Sequence, residues 1–291
     1  MLGVILLQTL RIAVPYLFAA SGGVLAERAG IVSLALEGFM LGGAFGATLG
    51  AYYSGSAWVG LAAGIGAGLL LGAIHALACV RFGANQIVAG VALNLMVVGL
   101  TRFFLRLAFG SSSNSPRVPG FGGEGTAGAL ATLADPPLWL GLALMVVMAL
   151  GVLRTRFGLR VRAVGEKPEA AESLGVGVAG VRWTAVVASG GLAALGGCWL
   201  ALDQHQFTDQ MTAGRGFIAL AAVIFGRWEP VRAGIACLLF AFAEALQIQV
   251  QGTNVIPSQF VTMIPYVLTL VALAGLVGRS TPPAALGRSD G

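Results

Sequence analysis

The sequence predicts an all-α fold, a polytopic integral membrane protein of about 8–10 transmembrane helices of the usual bilayer-spanning length. Three observations carry this. The chain is 57% hydrophobic and 10% charged, with mean hydropathy +0.87, where an ordinary soluble domain carries about 25% charged residues. No Asp, Glu, Lys or Arg occurs from Gly38 to Val80, and a single span needs only roughly 20 apolar residues. The arginines gather in short segments between apolar runs, the arrangement that orients a chain in a bilayer.

The apolar runs place spans near 4–25, 31–53, 57–80, 86–108, 137–155, 183–202, 215–227, 231–250 and 259–278. The run at 215–227 is short for a crossing and reads as a broken or re-entrant helix, which is tolerated where it packs in protein. The first run has no basic region before it and reads as a retained span. Between the fifth and sixth runs lies a charged island holding Arg154, Arg156, Arg160, Arg162, Glu166, Lys167, Glu169, Glu172 and Arg182. Positive charge in short loops faces the cytoplasm. Counting from the island puts 27–30, 81–85, 227–232 and the tail inside, and 110–137, 203–214 and 251–258 outside. Arg102 and Arg106 fall near the outer end of their span, against this count. The segment 279–291 is polar and reads as a disordered tail.

Composition also excludes several functions. The charge of +5 and pI near 9.6 belong to topology, so no nucleic-acid partner is implied. Cys79, Cys198 and Cys237 form no C-x-x-C pair, and His75 and His205 are far apart, so neither a metal site nor a disulfide framework is expected. Lys167 is the only lysine and follows Glu166, so no G-x-x-x-x-G-K-[ST] loop exists to cradle phosphates. No convincing catalytic set appears. The chain reads as no enzyme, with no cofactor, and any ATP it depends on is bound elsewhere.

Several polar or small residues stand out among the spans. Glycines recur at helical spacing, as in Gly42, Gly46 and Gly50 or Gly60, Gly64 and Gly68, which lets helix backbones approach closely in lipid. Gln86, Gly90 and Asn94 share one helical face, and Glu244, Gln247 and Gln251 share another. These faces line a polar path for an uncharged, hydroxylated solute, or they hold helices together by hydrogen bonds. Glu37 either pairs with Arg28 or favours the start of a helix. Pro168 suits a helix first turn, Ala170, Ala171 and Leu174 give it a small apolar face, and Gly175 can end it. Gly214 and Gly216 permit tight backbone where the 215–227 helix begins. Phe207, Met211 and Phe217 offer an apolar face to a ring, or they seal the outer gate or pack against a neighbour.

Three segments together resemble the permease subunits of bacterial ABC importers of the branched-chain amino acid, ribose and nucleoside group. They are Glu27-Arg28-Ala29-Gly30-Ile31-Val32-Ser33-Leu34-Ala35-Leu36-Glu37-Gly38, Gly165-Glu166-Lys167-Pro168-Glu169-Ala170-Ala171-Glu172-Ser173-Leu174-Gly175-Val176, and Met211-Thr212-Ala213-Gly214-Arg215-Gly216-Phe217-Ile218-Ala219-Leu220-Ala221-Ala222-Val223-Ile224-Phe225-Gly226. The likeness runs from about residue 9 to 278 and is closest to the smaller permease of nucleoside importers of the BMP-lipoprotein type. The family usually has Asn-Leu-Gly-Leu-Glu-Gly where this chain has Ser33 to Gly38, and often Gly-Glu-Asn-Pro where it has Gly165 to Pro168.

The resemblance implies one transmembrane permease domain over 1–278 in the bacterial inner membrane. A cytoplasmic loop over about 156–182 would couple to a separate ATP-binding subunit through Gly165, Glu166, Pro168, Ala170, Ala171, Leu174 and Gly175. It implies a second homologous permease, an extracytoplasmic solute-binding lipoprotein, and a small-molecule solute. Asn94, Phe207, Met211, Arg215, Phe217 and Gln247 are the expected path or solute residues. Glu27, Arg28, Gly30, Glu37 and Gly38 form the expected structural motif. The rival solutes are a simple sugar or a branched-chain amino acid. The rival class is an ion-driven secondary transporter with Glu244 as its proton site.

Overall fold

A computed structural model describes residues 2–121, 136–251 and 281–288. Among these residues ten α-helices follow one another: α1 (Leu2–Arg28), α2 (Leu36–Ser54), α3 (Ala57–Ala76), α4 (Gln86–Phe109), α5 (Pro136–Arg154), α6 (Arg156–Glu166), α7 (Pro168–Ser173), α8 (Val178–Asp203), α9 (Arg215–Phe225) and α10 (Pro230–Gln251). A single π turn, Leu77–Arg81, prolongs α3. Eight of the nine expected segments coincide with helices; the ninth, 259–278, lies outside the described residues. Among the described residues, five helices are long and apolar enough to cross a membrane, and α5 with α6 forms a further pair bent by 71°. At that bend the Thr155 hydroxyl accepts the Gly158 N–H (3.0 Å) and starts α6 afresh.

The centre of the bundle is a trio, α2, α3 and α8, in which glycines replace side chains at the crossings. A Cβ built at Gly43 would lie 2.6 Å from the Ala194 backbone, one at Gly72 3.0 Å from Val186 O, and one at Gly190 2.8 Å from the Gly72 Cα. Dispersion between touching backbones holds such crossings where lipid provides no hydrophobic drive. Around the trio, α1 lies against α8, α10 and α9, while α4 lies on α2 and α5 lies on α1 and α10. Tyr16, Leu17, Leu36, Phe39, Met40, Leu41, Leu105 and Phe207 are the large, fully buried residues of the main core.

Three expectations are corrected. The second helix begins at Leu36, not at 31. Its approach segment is held without helical bonds, because Gln86 Oε1 accepts the Val32 N–H (2.7 Å) and Glu27 Oε1 accepts the Ser33 N–H (3.1 Å). Arg102 does not stand alone near the end of its span, since it pairs with Asp209 (2.9 Å) in the 203–214 loop. That loop is also stitched to residues 113–118 by Ser115 N–H to Phe207 O (2.9 Å), Val118 N–H to His205 O (2.8 Å) and Asp209 N–H to Ser113 O (2.8 Å), so both loops share one end of the bundle. Nor is the tail disordered over residues 281–288. They form tight turns closed by Leu286 N–H to Pro283 O and Arg288 N–H to Ala285 O, and Ala285 is buried. The reason is close fit: small Ala285 sits against side-chain-free Gly30, where main-chain groups on both sides find partners.

Candidate solute path and coupling surface

The 215–227 run is a short helix. With 11 residues, α9 rises about 16 Å, roughly half a hydrocarbon core. It starts at Gly214, whose φ of 83° lies in the left-handed region. Helix starts leave N–H groups without helical partners, and Gly214 has no side chain with which to cap them. Glu37, 177 residues earlier, does so: its Oε1 accepts the Gly214 N–H (2.9 Å) and the Thr212 hydroxyl (2.6 Å), and its Oε2 accepts the Gly216 N–H (2.7 Å). A carboxylate opposite the positive pole of a helix is favourable in charge as well as geometry. Gly216 is required here because a Cβ would lie 2.5 Å from the Glu37 nitrogen. Glu37 therefore does not pair with Arg28; it favours the start of a helix, the other reading of the sequence, and the helix it serves across the fold is α9.

One residue into α9, Arg215 places a cation where the helix dipole disfavours it. Two acceptors compensate: Glu244 Oε1 on α10 (3.0 Å) and Met211 O (3.2 Å). Tyr16 of α1 donates its hydroxyl to the other Glu244 oxygen. Arg215 and Glu244 are both about a fifth exposed (22% and 23%), so this ion pair retains access to whatever covers that face. Three helices thus meet at one polar knot beside the start of α9.

The other expected path residues separate. Gln247 is half-buried on α10, one turn beyond Glu244, and Phe217 is exposed on α9. Phe207 and Met211 are buried, with Phe207 set edge-on to Phe45 (centroids 5.2 Å apart). Asn94 is buried too: its Oδ1 accepts the Gly38 N–H (2.8 Å) and its Nδ2 donates to Leu34 O (2.9 Å). This is the helix-joining use of the amide, and it explains Gly38, where a Cβ would meet Asn94 Oδ1 at 2.8 Å. Asn94→Ala strands a buried donor and acceptor, so we expect it to lower stability by about 1–3 kcal/mol, read as a fall in the melting temperature of the detergent-solubilised protein.

In the first motif, Glu27 accepts the Ser33 N–H and the Trp228 indole N–H, while Arg28 Nε donates to Trp228 O (2.6 Å). Both side chains thereby tie the end of α1 to the turn before α10. Gly30 adopts a φ of 91° beside Ala285. Tyr16, Thr212 and Trp228 were not foreseen as members of these clusters.

At the same end of the bundle as Gly30 lie α6 and α7. Pro168 occupies the first turn of α7, and Gly175, at φ 79°, closes it with N–H groups of Gly175 and Val176 returning to Glu172 and Ala171. The expected apolar face divides: Ala171 is buried and anchors the helix, whereas Ala170 and Leu174 face outward, Leu174 being 84% exposed. Glu166 is exposed, and Gly165 is buried against the Arg28 carbonyl with no room for a side chain. Among the described residues no three His, Cys, Asp or Glu side chains are grouped to hold a metal.

A polytopic helical bundle with a broken helix and a small protruding helix has close relatives. The family model described as "Branched-chain amino acid transport system / permease component" matches residues 5–273. The chain belongs to this permease family.

Its relatives include the guanosine ABC transporter permease protein NupQ of Bacillus subtilis, 37% identical over 98% of this chain and 96% of that one. The nucleoside ABC transporter permease protein NupC of Lactococcus lactis is 36% identical at the same coverage of both chains. A putative glucose ABC transporter permease of Haloferax volcanii is 35% identical over 84% of this chain and 77% of its own. A solved structure, an inward-facing putative metal-chelate type ABC transporter, aligns with TM-score 0.54 and 17% identity over 93% of this permease and 85% of that chain, a likeness of fold. The permease is thus a multi-pass transport subunit of the nucleoside and sugar type of ABC system. Family membership sets aside the ion-driven class, and Glu244 is engaged by Arg215 and Tyr16.

Proposed function

We propose that this permease forms half of the translocation path of an ATP-driven importer of nucleosides in a bacterial inner membrane. The observation that carries the reading is near full-length similarity to two permeases named for guanosine and nucleosides. A second homologous permease completes the path, a solute-binding lipoprotein delivers solute at the outer face, and a separate ATPase supplies energy. The basic end of the bundle, with α6 and α7, faces the cytoplasm. There α7 is the coupling helix, and exposed Ala170 and Leu174 enter a groove of the ATPase.

The chemistry of the polar knot fits an uncharged solute. Glu37 is matched by a helix start and Arg215 by Glu244, which leaves hydrogen-bonding capacity and the Phe217 ring but no surplus charge among these groups. The Haloferax relative keeps a simple sugar as the second reading.

The test is uptake of labelled guanosine by the complete complex, with competitors. Other nucleosides should compete, and glucose and leucine should not. Saturable glucose uptake with no nucleoside competition would replace the first reading by the second. Deleting Ala170–Leu174 should abolish uptake while membrane insertion and pairing with the second permease persist. Normal uptake by that variant would remove α7 from the coupling role.

A further inference from the structure

Residues 281–288 lie across the joint between the bundle and the proposed coupling surface. The Ala285 N–H donates to Gly165 O (2.9 Å), one of the carbonyls left free at the end of α6. Two residues on, the Gly287 N–H donates to Gly30 O (3.3 Å) at the exit of α1. One further, Arg288 O accepts from Gln86 Nε2 (3.3 Å) at the start of α4. The same Gln86 holds Val32 with its other amide atom. Ala285 is 1% exposed, and its carbonyl oxygen lies 3.3 Å from where a Cβ on Gly30 would stand. Buried Arg182 of α8 lines this junction, with Nε toward Ala29 O (3.3 Å).

By contrast, α7 has a single buried residue, Ala171. A helix so lightly attached opens locally at little cost and transmits force only through what it is joined to. Its neighbour α6 packs on the bundle through buried Val161, and at its last turn, at Gly165, the 281–288 segment binds it to α1 and α4 together. We propose that residues 281–288 are a strap that fixes the α6 side of the α6–α7 elbow to the transmembrane helices, so that motion imposed on α7 reaches α1 and α4 instead of being absorbed by displacement of the end of α6. The proposal rests on α7 being the coupling helix.

The experiment uses the complete transporter in proteoliposomes and measures guanosine imported per ATP hydrolysed. Two variants are compared with the unaltered chain. One replaces 281–288 by a glycine–serine stretch of equal length; the other is Ala285→Trp, which cannot enter the slot beside Gly30. Ala285→Gly is the conservative control. Both strap variants should keep permease-stimulated ATP hydrolysis but import at least about fivefold less guanosine per ATP, the lower range of an allosteric coupling, and Ala285→Gly should restore the ratio. An unchanged ratio in both would overturn the strap. So would loss of both variants from the membrane, which would make the segment a folding element.

The Ala170–Leu174 deletion is run in parallel. If it transports normally, the coupling reading has failed; if it is inactive while the strap variants are unaffected, the strap alone has failed.

Discussion

Glu37→Ala is expected to abolish uptake and to cost about 3 kcal/mol or more of stability, because it strands several donors at once. The carboxylate accepts from the Thr212 hydroxyl and the Gly214 and Gly216 amides. An orphaned buried donor costs about 1–3 kcal/mol, and more when its lost partner was charged. Alanine also leaves the start of α9 with no counter-charge. Glu37→Gln keeps one good acceptor and should recover part of the stability while remaining poor in transport. Aspartate, a methylene shorter, cannot span both amides and should resemble alanine more than glutamine does. Thermal unfolding of the purified variants and uptake by the complex check both effects. Near-normal transport by Glu37→Ala would mean that the start of α9 needs no fixed position.

Gly197→Ala is expected to be the most damaging single methyl addition. Its Cβ would run into the Met40 carbonyl, with Ala44 N only 3.0 Å away. These are backbone atoms in the centre of α2, and no rotamer change relieves them. Overpacking a tight core costs about 1–3 kcal/mol when side chains can yield, so a clash with immovable backbone should reach or exceed about 3 kcal/mol on that scale. The variant should fail to accumulate in the membrane. Gly66→Ala on α3 meets nothing within 4 Å and should behave as the unaltered protein, which separates loss of packing from a general intolerance of alanine.

Much of the bundle was legible because its signals are local. Long apolar runs mark α1, α3, α4, α8 and α10, and the length of 215–227 alone marks α9 as incomplete. Pro168 and Gly175 delimit α7 by backbone preference. What escaped is non-local. The sequence shows a lone acid at Glu37 and a glycine-flanked helix start at Gly214, but nothing local says that the first caps the second. Tyr16 looks like one apolar residue among many until α10 brings Glu244 to it. Asn94 carries the same polar signature whether it lines a path or joins helices, and its bonds to Gly38 and Leu34 appear only once α4 is laid on α2. The 281–288 segment misled for the opposite reason: polar, proline-bearing composition reads as disorder, yet main-chain bonding at Gly30 and Gly165 is blind to composition.

The crossings of α2, α3 and α8 have a mechanical consequence. Where Gly43 abuts Ala194, Gly190 abuts Gly72 and Gly64 abuts the Gly43 carbonyl, no layer of pliable side chains separates the helices. Sliding one past another would drive main-chain atoms into each other at several levels. These helices therefore travel as a single stiff slab, and any rearrangement of the bundle must be taken up at its borders rather than within it.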